Sequence, residues 1–330
     1  MICFSGLRPH RLRTSKVFRC LYNLRTCHNT LMVLFHSRAL TICSATMSST
    51  PNVTAAEHFN KSADNYEAIT GGGTRELAQH AISLIAGLKP LTSESKILDN
   101  ACGTGIVTDI ILQSGIQPEI HAVDCAENMV SIARGRFSAY PNVHAAVMAG
   151  EELSFPDDTF THSITNLGLM FFTDADKGAK EIARTLHPDG VAVVTGWAMR
   201  APFKIIQEVY TQIRPHDTPF KSPVPDIWLD PEHTKAVLSG AGLDVHTSTA
   251  VDVHMGGETA DGVADLLTRF GSKAFASWSE EEKEKVSRVM KKIVQERAVP
   301  FTRPSGSGVG IKLTGTIFIV RRGSGRMPAI

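Results

Sequence analysis

Two glycines and two aspartates have the types and spacing needed to hold a small ligand. Gly103 and Gly105 lie in a turn between an apolar strand and a helix, where glycine lets the backbone take positive φ and approach a ligand closely. Asp99 precedes the turn, and Asp124 ends the next apolar strand about 20 residues beyond it, the separation at which an acid reaches a ribose hydroxyl pair. The spacing predicts an adenosine-containing ligand, with Asp124 as a simple helix cap as the alternative.

The details of the turn distinguish between two kinds of cofactor. Thr108 stands where the dinucleotide-binding fingerprint has its third glycine. Asp99 is an acid before the turn, where it would repel a pyrophosphate but can orient the loop and accept a hydrogen bond from an ammonium group. A cationic or zwitterionic ligand is therefore favoured, and an NAD-linked dehydrogenase is disfavoured.

Apolar runs that alternate with amphipathic segments must position these residues. Between residues 97 and 197 the alternation predicts βαβ units and a mostly parallel sheet covered by helices. The predicted strands are residues 96–101, 119–124, 143–148, 161–167, 191–197, 243–253 and 314–321, with a turn at 187–190. The predicted helices are residues 54–66, 75–87, 106–114, 127–134, 175–186, 203–213, 231–240, 260–270 and 280–297.

The composition limits the kinds of partner. The chain has 34 basic and 33 acidic residues, which gives no electrostatic support for nucleic-acid binding. A small-molecule partner is therefore expected, and the sequence does not indicate an oligomeric state. Four of the six cysteines lie in the first 46 residues, and Cys102 and Cys125 have no metal-ligand spacing. We expect neither a disulfide framework nor a zinc site.

The first 46 residues differ from the rest of the chain because they contain seven basic residues and no Asp or Glu. This composition fits a mitochondrial transit peptide. Alternatively, translation begins at Met47 and residues 1–46 are an artefact of an upstream start codon. The apolar run 31–35 is too short to span a bilayer. In both cases we expect a separate, disordered leader. The expected location is cytoplasmic, or mitochondrial if the leader is genuine.

Four segments together carry a resemblance to a known family. They are LDNACGTG at residues 98–105, VDCAENM at 123–129, EELSFPDDTF at 151–160 and EIARTLHPDG at 181–190. They resemble the class I S-adenosylmethionine-dependent methyltransferases, specifically the type 11 small-molecule branch, and GTIFIV at 315–320 is similar to the antiparallel last strand of that family. The resemblance implies an α/β, Rossmann-like, seven-stranded, mostly parallel sheet. It also implies S-adenosylmethionine as the cofactor.

The resemblance also sets the expected domain boundaries. One methyltransferase domain would cover residues 54–321, with a helical insert at 254–313 that forms a lid together with the amino-terminal helices. Residues 322–330 would be a flexible tail.

Roles for single residues follow from the resemblance. Gly103 and Gly105 would approach the methionine part of the cofactor, Asp124 the ribose and Met129 the adenine. Ala149 stands where the family commonly has an aspartate for the adenine amino group, so that contact is expected from the backbone at 148–150 or from Glu151. The expected cofactor-binding residues are Tyr66, Asp99, Ala101, Gly103, Gly105, Asp124, Met129, Glu151 and Asn166.

The loop after the fourth strand is expected to face the methyl group. The acceptor-side candidates are Asn166, Met170 and Phe171 in that loop and Trp197 at the end of the fifth strand. Tyr66, Trp197 and Phe171 could form an aromatic pocket for a sulfonium cation, and ordinary core packing is the alternative for each. No histidine stands out as a general base, and those in or near the predicted strands are interpreted as structural: His121, His144, His162, His246 and His254. Direct displacement depends chiefly on positioning, and a base is needed only for acceptors that must first lose a proton.

The expected activity is methyl transfer to a thiol, hydroxyl or amine of a small, largely apolar metabolite. TGGGTRELA at residues 70–78 resembles fungal methyltransferases of secondary metabolism, including those that methylate toxin dithiols. One alternative is a quinone-ring C-methyltransferase in mitochondria. Another is a regulatory protein that binds S-adenosylmethionine without turnover.

Overall fold

The computed structural model describes residues 54–323 except Pro219 and Pro223. The predicted leader and residues 324–330 lie outside the described residues. The helices are α1 (Ala55–Ser62), α2 (Tyr66–Ile69), α3 (Gly73–Ala86), α4 (Ile106–Gln113), α5 (Glu127–Arg136), α6 (Ala175–Thr185), α7 (Ala201–Ile213), α8 (Pro231–Gly240), α9 (Ala260–Phe270) and α10 (Glu280–Arg297). The strands are β1 (Lys96–Asn100), β2 (Glu119–Asp124), β3 (Val143–Val147), β4 (Phe160–Thr165), β5 (Leu186–Met199), β6 (Leu243–Gly257), β7 (Val299–Arg303) and β8 (Gly306–Arg322).

The strands form one mixed sheet in the order β3-β2-β1-β4-β5-β8-β6, with β7 paired to β8. Neighbours from β3 to β5 pair in parallel, and β8 runs antiparallel to both β5 and β6. The predicted α/β fold with an antiparallel last strand is therefore confirmed, with β7 as a strand that the sequence did not predict. The carboxyl ends of β1, β2 and β4 meet at one edge, which is where a parallel sheet binds its ligands.

Apolar side chains on both faces of the sheet form the core. Ile97, Ile164 and Val193 are fully buried in the larger cluster, and Ala192, Val194 and Phe318 are buried in a second cluster. This double burial explains the continuous apolar runs in the sequence, because helices cover both faces of the parallel part.

The insert is only partly helical. β6 continues to Gly257 and β8 begins at Gly306, so both strands extend into the predicted lid, and β7 pairs alongside them. The sequence did not predict these parts of the strands, because their glycines interrupt the alternation of apolar and polar residues that indicates a strand. A Cβ at Gly308 would lie 2.5 Å from the Gly257 carbonyl oxygen, so this pairing requires a glycine.

Several predicted boundaries also differ from the structure. The first predicted helix is broken into α1, a 3₁₀ turn (Ala63–Asn65) and α2. The predicted turn at 187–190 lies within β5, where the pairing with β4 shifts register: Phe160 pairs with Leu186 and His162 with Val191. Arg322, predicted to begin the flexible tail, belongs to β8 and donates to the Leu186 carbonyl at 3.1 Å. These differences lie at element ends, where local sequence signals are weakest.

A partly buried ion pair holds the glycine triplet 71–73 against β6 and β7. Arg303 donates to Glu76 at 2.8 Å and to the Gly71 carbonyl at 3.0 Å, and Glu76 also accepts from the His254 backbone N–H at 2.9 Å. A Cβ at Gly72 would lie 2.5 Å from the Arg303 guanidinium. The triplet is therefore a close-approach loop, which is one of the two structures, hinge or close-approach loop, that its three glycines allow.

A search of the described residues for a membrane-spanning helix found none with the required length and apolar character.

Candidate functional site

A cavity of about 460 Å³ lies at the carboxyl edge of the sheet, bounded by the ends of β1, β2 and β4 and by the amino-terminal helices. It brings together residues that are far apart in the sequence. The predicted site residues that line it are Tyr66, Ala101, Gly103, Asp124, Met129, Glu151, Asn166 and Phe171. The predicted residues that do not line it are Asp99, Gly105, Met170 and Trp197.

Asp124 is held in place by the turn beside it. One carboxylate oxygen accepts from the Gly103 N–H at 2.9 Å, and the other accepts from the Ala126 N–H at 2.9 Å. Burial raises the pKa of Asp124, and these two N–H groups counteract the rise. The carboxylate is thus fixed at the cavity wall, with oxygen lone pairs that can still accept from ligand hydroxyl groups.

Gly103 and Gly105 serve different purposes in the same turn. Both have positive φ, +55° and +88°. A Cβ at Gly103 would meet no atom within 4 Å, whereas a Cβ at Gly105 would lie 2.3 Å from the Phe137 ring. Gly103 therefore keeps space free at the cavity, and Gly105 lets α5 pack against the turn.

Asp99 lies behind the turn. It is 1% exposed and accepts hydrogen bonds from the backbone and hydroxyl of Thr108, at 3.2 and 2.7 Å. Thr108, which replaces the third glycine of the dinucleotide fingerprint, thus anchors Asp99. Asp99 therefore holds the start of α4 against the end of β1, and it does not line the cavity.

Burial of Asp99 predicts a pH-dependent stability. Burial is the main cause that raises its pKa to about 7, so the folded state holds this proton more tightly than the unfolded chain. The stabilisation is complete at pH values below the ordinary pKa of 3.8 and is lost as the pH rises to about 7. We expect the unfolding free energy to fall by about 4 kcal/mol over this range relative to Asp99→Asn. Urea denaturation of both proteins at several pH values measures this difference; parallel pH profiles would contradict the prediction.

Two strained turns form the floor of the cavity. Ala101 after β1 and Leu167 after β4 have φ of +59° and +58°, which costs a non-glycine residue about 1–3 kcal/mol. A Cβ at Gly168 would lie 2.6 Å from the Ala101 Cβ, so the two turns pack directly against each other. Such strain persists where surrounding structure enforces it, commonly at ligand sites.

Asn100, at the end of β1, supplies an unpaired buried amide next to the cavity. Its side chain is fully buried, and both its Oδ1 and Nδ2 lack a hydrogen-bond partner. Oδ1 lies 2.8 Å from the position of a Cβ at Gly150, a residue of the cavity wall. Because a buried unpaired amide is unfavourable, this arrangement fits a site whose hydrogen bonds are completed by a ligand or by water.

The loop after β4 is fixed by hydrogen bonds. Asn166 accepts from the Thr195 hydroxyl at 2.8 Å and donates to the Thr74 carbonyl at 3.3 Å, and the Leu167 N–H donates to the same hydroxyl at 2.9 Å. Thr195, on β5, was not identified from the sequence. The only indication in the sequence is that Thr195 is a polar residue within a central apolar strand.

The aromatic wall differs from the predicted one. Phe59 takes the place expected for Trp197, with its ring 4.9 Å from Phe171 and 6.0 Å from Tyr66. Trp197 and Met170 pack against the core instead. Burial, with a smaller effect from Asp124, raises the pKa of Tyr66 to about 12, so its phenol is neutral.

Phe172 is a lining residue that the sequence did not identify. A Cβ at Gly150 or at Gly178 would lie 2.2 Å from its ring, so two glycines from different elements accommodate it. The only indication in the sequence that a large side chain packs here was Gly178, a glycine inside α6. Glu151 also lines the cavity, and one of its carboxylate oxygens accepts from the Thr173 N–H at 2.6 Å.

Glu67 links the amino-terminal segment to the glycine turn. Its carboxylate accepts from the Thr104 hydroxyl at 3.0 Å, from Arg136 at 2.5 Å and from Arg75 at 2.9 Å. Arg136 also donates to the Thr104 carbonyl at 3.1 Å. Since Tyr66 precedes Glu67 and lines the cavity, this network holds one wall of the cavity against the turn.

Glu67→Gln is expected to weaken cofactor binding roughly tenfold, equivalent to about 1.4 kcal/mol. The neutral amide loses the charge-assisted bonds to both arginines, so the wall loosens while the turn stays folded. The measurement is the dissociation constant of the expected cofactor by calorimetric titration, which should rise in the variant. Glu284→Gln, at an exposed position on α10, is the matched control. Equal dissociation constants for the two variants would contradict the prediction.

Comparisons with known proteins agree with this geometry. Residues 97–190 match the family model described as a methyltransferase domain. Demethylmenaquinone methyltransferase from Lysinibacillus sphaericus is 29% identical over 153 residues, which cover 42% of this chain and 62% of that protein. Methyltransferase tpcH from Aspergillus fumigatus is 28% identical over 108 residues, covering 31% and 38%. The solved structure of the [4+2]-cyclase SpnF has a TM-score of 0.53 at 16% identity, covering 83% of this chain and 97% of that one.

These matches assign the class of the central region. Residues 97–190 match a methyltransferase domain, and the predicted resemblance to class I S-adenosylmethionine-dependent methyltransferases is confirmed. The SpnF likeness shows the fold alone. The chain spans less than two thirds of the length of the curated relatives it first matches, with 62%, 46% and 62% covered.

Proposed function

We propose that the protein transfers the methyl group of S-adenosylmethionine to a thiol, hydroxyl or amine of a small, largely apolar metabolite. The observation that carries this proposal is the cavity itself. Gly103 and Asp124 lie on one side of it, and Asn166 and Phe171, in the loop after β4, lie on another. The residues that we propose to bind the cofactor and those that we propose to face the acceptor thus line one cavity.

The charge and polarity of the lining residues fit the cofactor. When bound, S-adenosylmethionine supplies a methyl group on a positively charged sulfur. Four carboxylates line the cavity against one lysine, namely Asp124, Glu151, Glu152 and Asp174 against Lys177, which favours a cation. Asp124 would accept from the ribose hydroxyl groups, and Met129 would pack against the adenine.

The acceptor side supports direct displacement in a site that excludes water. Phe59, Phe171 and Phe172 give the cavity an apolar wall, which reduces water access and holds an apolar acceptor in position. In the described part of the chain, no histidine lines the cavity. Burial raises the pKa of the Cys125 thiol to about 11, so it is not a ready base. The residues therefore favour acceptors that need little help to lose a proton.

A quinone-ring C-methyltransferase is the second candidate. It is favoured by the relative named demethylmenaquinone methyltransferase and by the apolar wall, which suits a flat ring. A regulatory protein that binds the cofactor without turnover is the third. The location stays a prediction, cytoplasmic or, if residues 1–46 are a genuine leader, mitochondrial.

Two measurements test the proposal. Calorimetry should show that the purified protein binds S-adenosylmethionine, and incubation with labelled methyl donor and a host metabolite extract should label a small thiol, hydroxyl or amine. Label on a quinone ring would instead identify the protein as a quinone-ring C-methyltransferase. Cofactor binding without label in any metabolite would favour the regulatory protein, and absence of cofactor binding would overturn all three.

A further inference from the structure

Two histidines and a glutamate meet at the amino-terminal ends of β2 and β3, at the opposite end of β2 from Asp124. The Nε2 atom of His121 lies 2.7 Å from Oε1 of Glu119, and the ring centroids of His121 and His144 are 5.0 Å apart. One potential ligand atom from each of the three residues lies within 4.8 Å of the others. Within residues 54–323, Pro219 and Pro223 aside, no other group of three His, Cys, Asp or Glu side chains satisfies this spacing.

The sheet itself sets this arrangement. His121 and His144 are register partners across β2 and β3, so their side chains leave the same face of the sheet as neighbours. Glu119 precedes His121 by two positions and therefore shares that face. The rings of Phe155 and Phe160 pack edge-on against His121, at centroid distances of 5.1 and 5.6 Å, and limit its rotation. The three residues are thus positioned by the backbone and by packing.

We propose that Glu119, His121 and His144 bind one divalent transition-metal ion, for which Zn²⁺ is the best fit. Two imidazole nitrogens and one carboxylate oxygen form a donor set that zinc accepts at about 2.0–2.2 Å. Zinc is usually four-coordinate, so three protein ligands leave one position for water or another ligand. The Glu119 side chain is 44% exposed and His144 is exposed, so an ion can reach both side chains from solvent.

Lys96 would compete with a metal ion for the Glu119 carboxylate. Its ammonium group lies 3.0 Å from the same Glu119 oxygen that faces His121. A bound cation would replace this ion pair, and the charge of Lys96 would oppose metal binding. The ion would connect the edge strand β3 to β2, far from the cofactor cavity at the other end of β2. This role does not depend on the proposed methyl transfer.

Zinc titration of the full chain by calorimetry, with the melting temperature measured at saturating Zn²⁺ and in chelator, tests the proposal. Residues 1–46 contain four cysteines and three histidines that can also take zinc, so the informative quantity is the difference between variants. His144→Ala should lose one equivalent of zinc or bind it at least about tenfold more weakly. It should also lose part of the zinc-dependent rise in melting temperature.

Two further variants sharpen the test. Lys96→Gln should bind the same equivalent more tightly than the wild type, because the competing charge is gone. His80→Ala removes an exposed histidine on α3 and should match the wild type. The same zinc stoichiometry, affinity and melting shift in the wild type and His144→Ala would overturn the proposal, as would weaker binding by a folded Lys96→Gln protein.

Discussion

Asp124→Ala is expected to lower the affinity for S-adenosylmethionine at least about 100-fold, because a carboxylate that accepts ligand hydroxyl groups contributes about 1.5–3 kcal/mol per hydrogen bond. The substitution removes the proposed ribose acceptor. It also leaves the N–H groups of Gly103 and Ala126 without their partner, so the turn loses its fixed shape. Calorimetric titration of the cofactor measures the effect.

The control for this prediction is a second aspartate near the site. Asp176 lies in the first turn of α6, is exposed, and does not line the cavity. Asp176→Ala should bind the cofactor as the wild type does. If Asp124→Ala has a native circular dichroism spectrum and unchanged affinity, the cavity is not the cofactor site.

The paired substitutions Gly103→Ala and Gly105→Ala should separate binding from folding. Both place a side chain at positive φ, which costs about 1–2 kcal/mol. At Gly105 the new methyl group also meets the Phe137 ring at 2.3 Å, and overpacking adds about 1–3 kcal/mol. Gly105→Ala should therefore lower the unfolding free energy by about 3 kcal/mol, as measured by urea denaturation.

Gly103→Ala should have the opposite profile. Its methyl group meets no protein atom within 4 Å and faces the cavity. The protein should lose only about 1 kcal/mol of stability but bind S-adenosylmethionine at least about tenfold more weakly. Combining Gly105→Ala with Phe137→Leu should recover part of the lost stability relative to the sum of the single changes. Equal stability losses for the two glycine variants would contradict this assignment.

The sequence alone determined the features that depend on local order along the chain. The glycine turn, Asp124 at the end of β2 and the alternation of apolar strands with helices were enough to predict the parallel sheet and the edge at which its ligand site lies. These signals are local because a parallel strand buried on both faces is an uninterrupted apolar run, and because the turn between strand and helix needs glycine where φ is positive.

Tertiary structure decided which side chain reaches which space. Asp99 and Gly105 belong to the predicted motif, yet they face Thr108 and Phe137 rather than the cavity. Phe59 and Phe172 line it instead of Trp197 and Met170. The distant helix α1 brings Phe59 there, and Gly150 and Gly178 leave the space that the Phe172 ring occupies. Similarly, the register between two strands brings together Glu119, His121 and His144, the cluster proposed as a metal site, which no ligand spacing along the chain indicates. Contacts between elements depend on packing, which no periodicity within one element encodes.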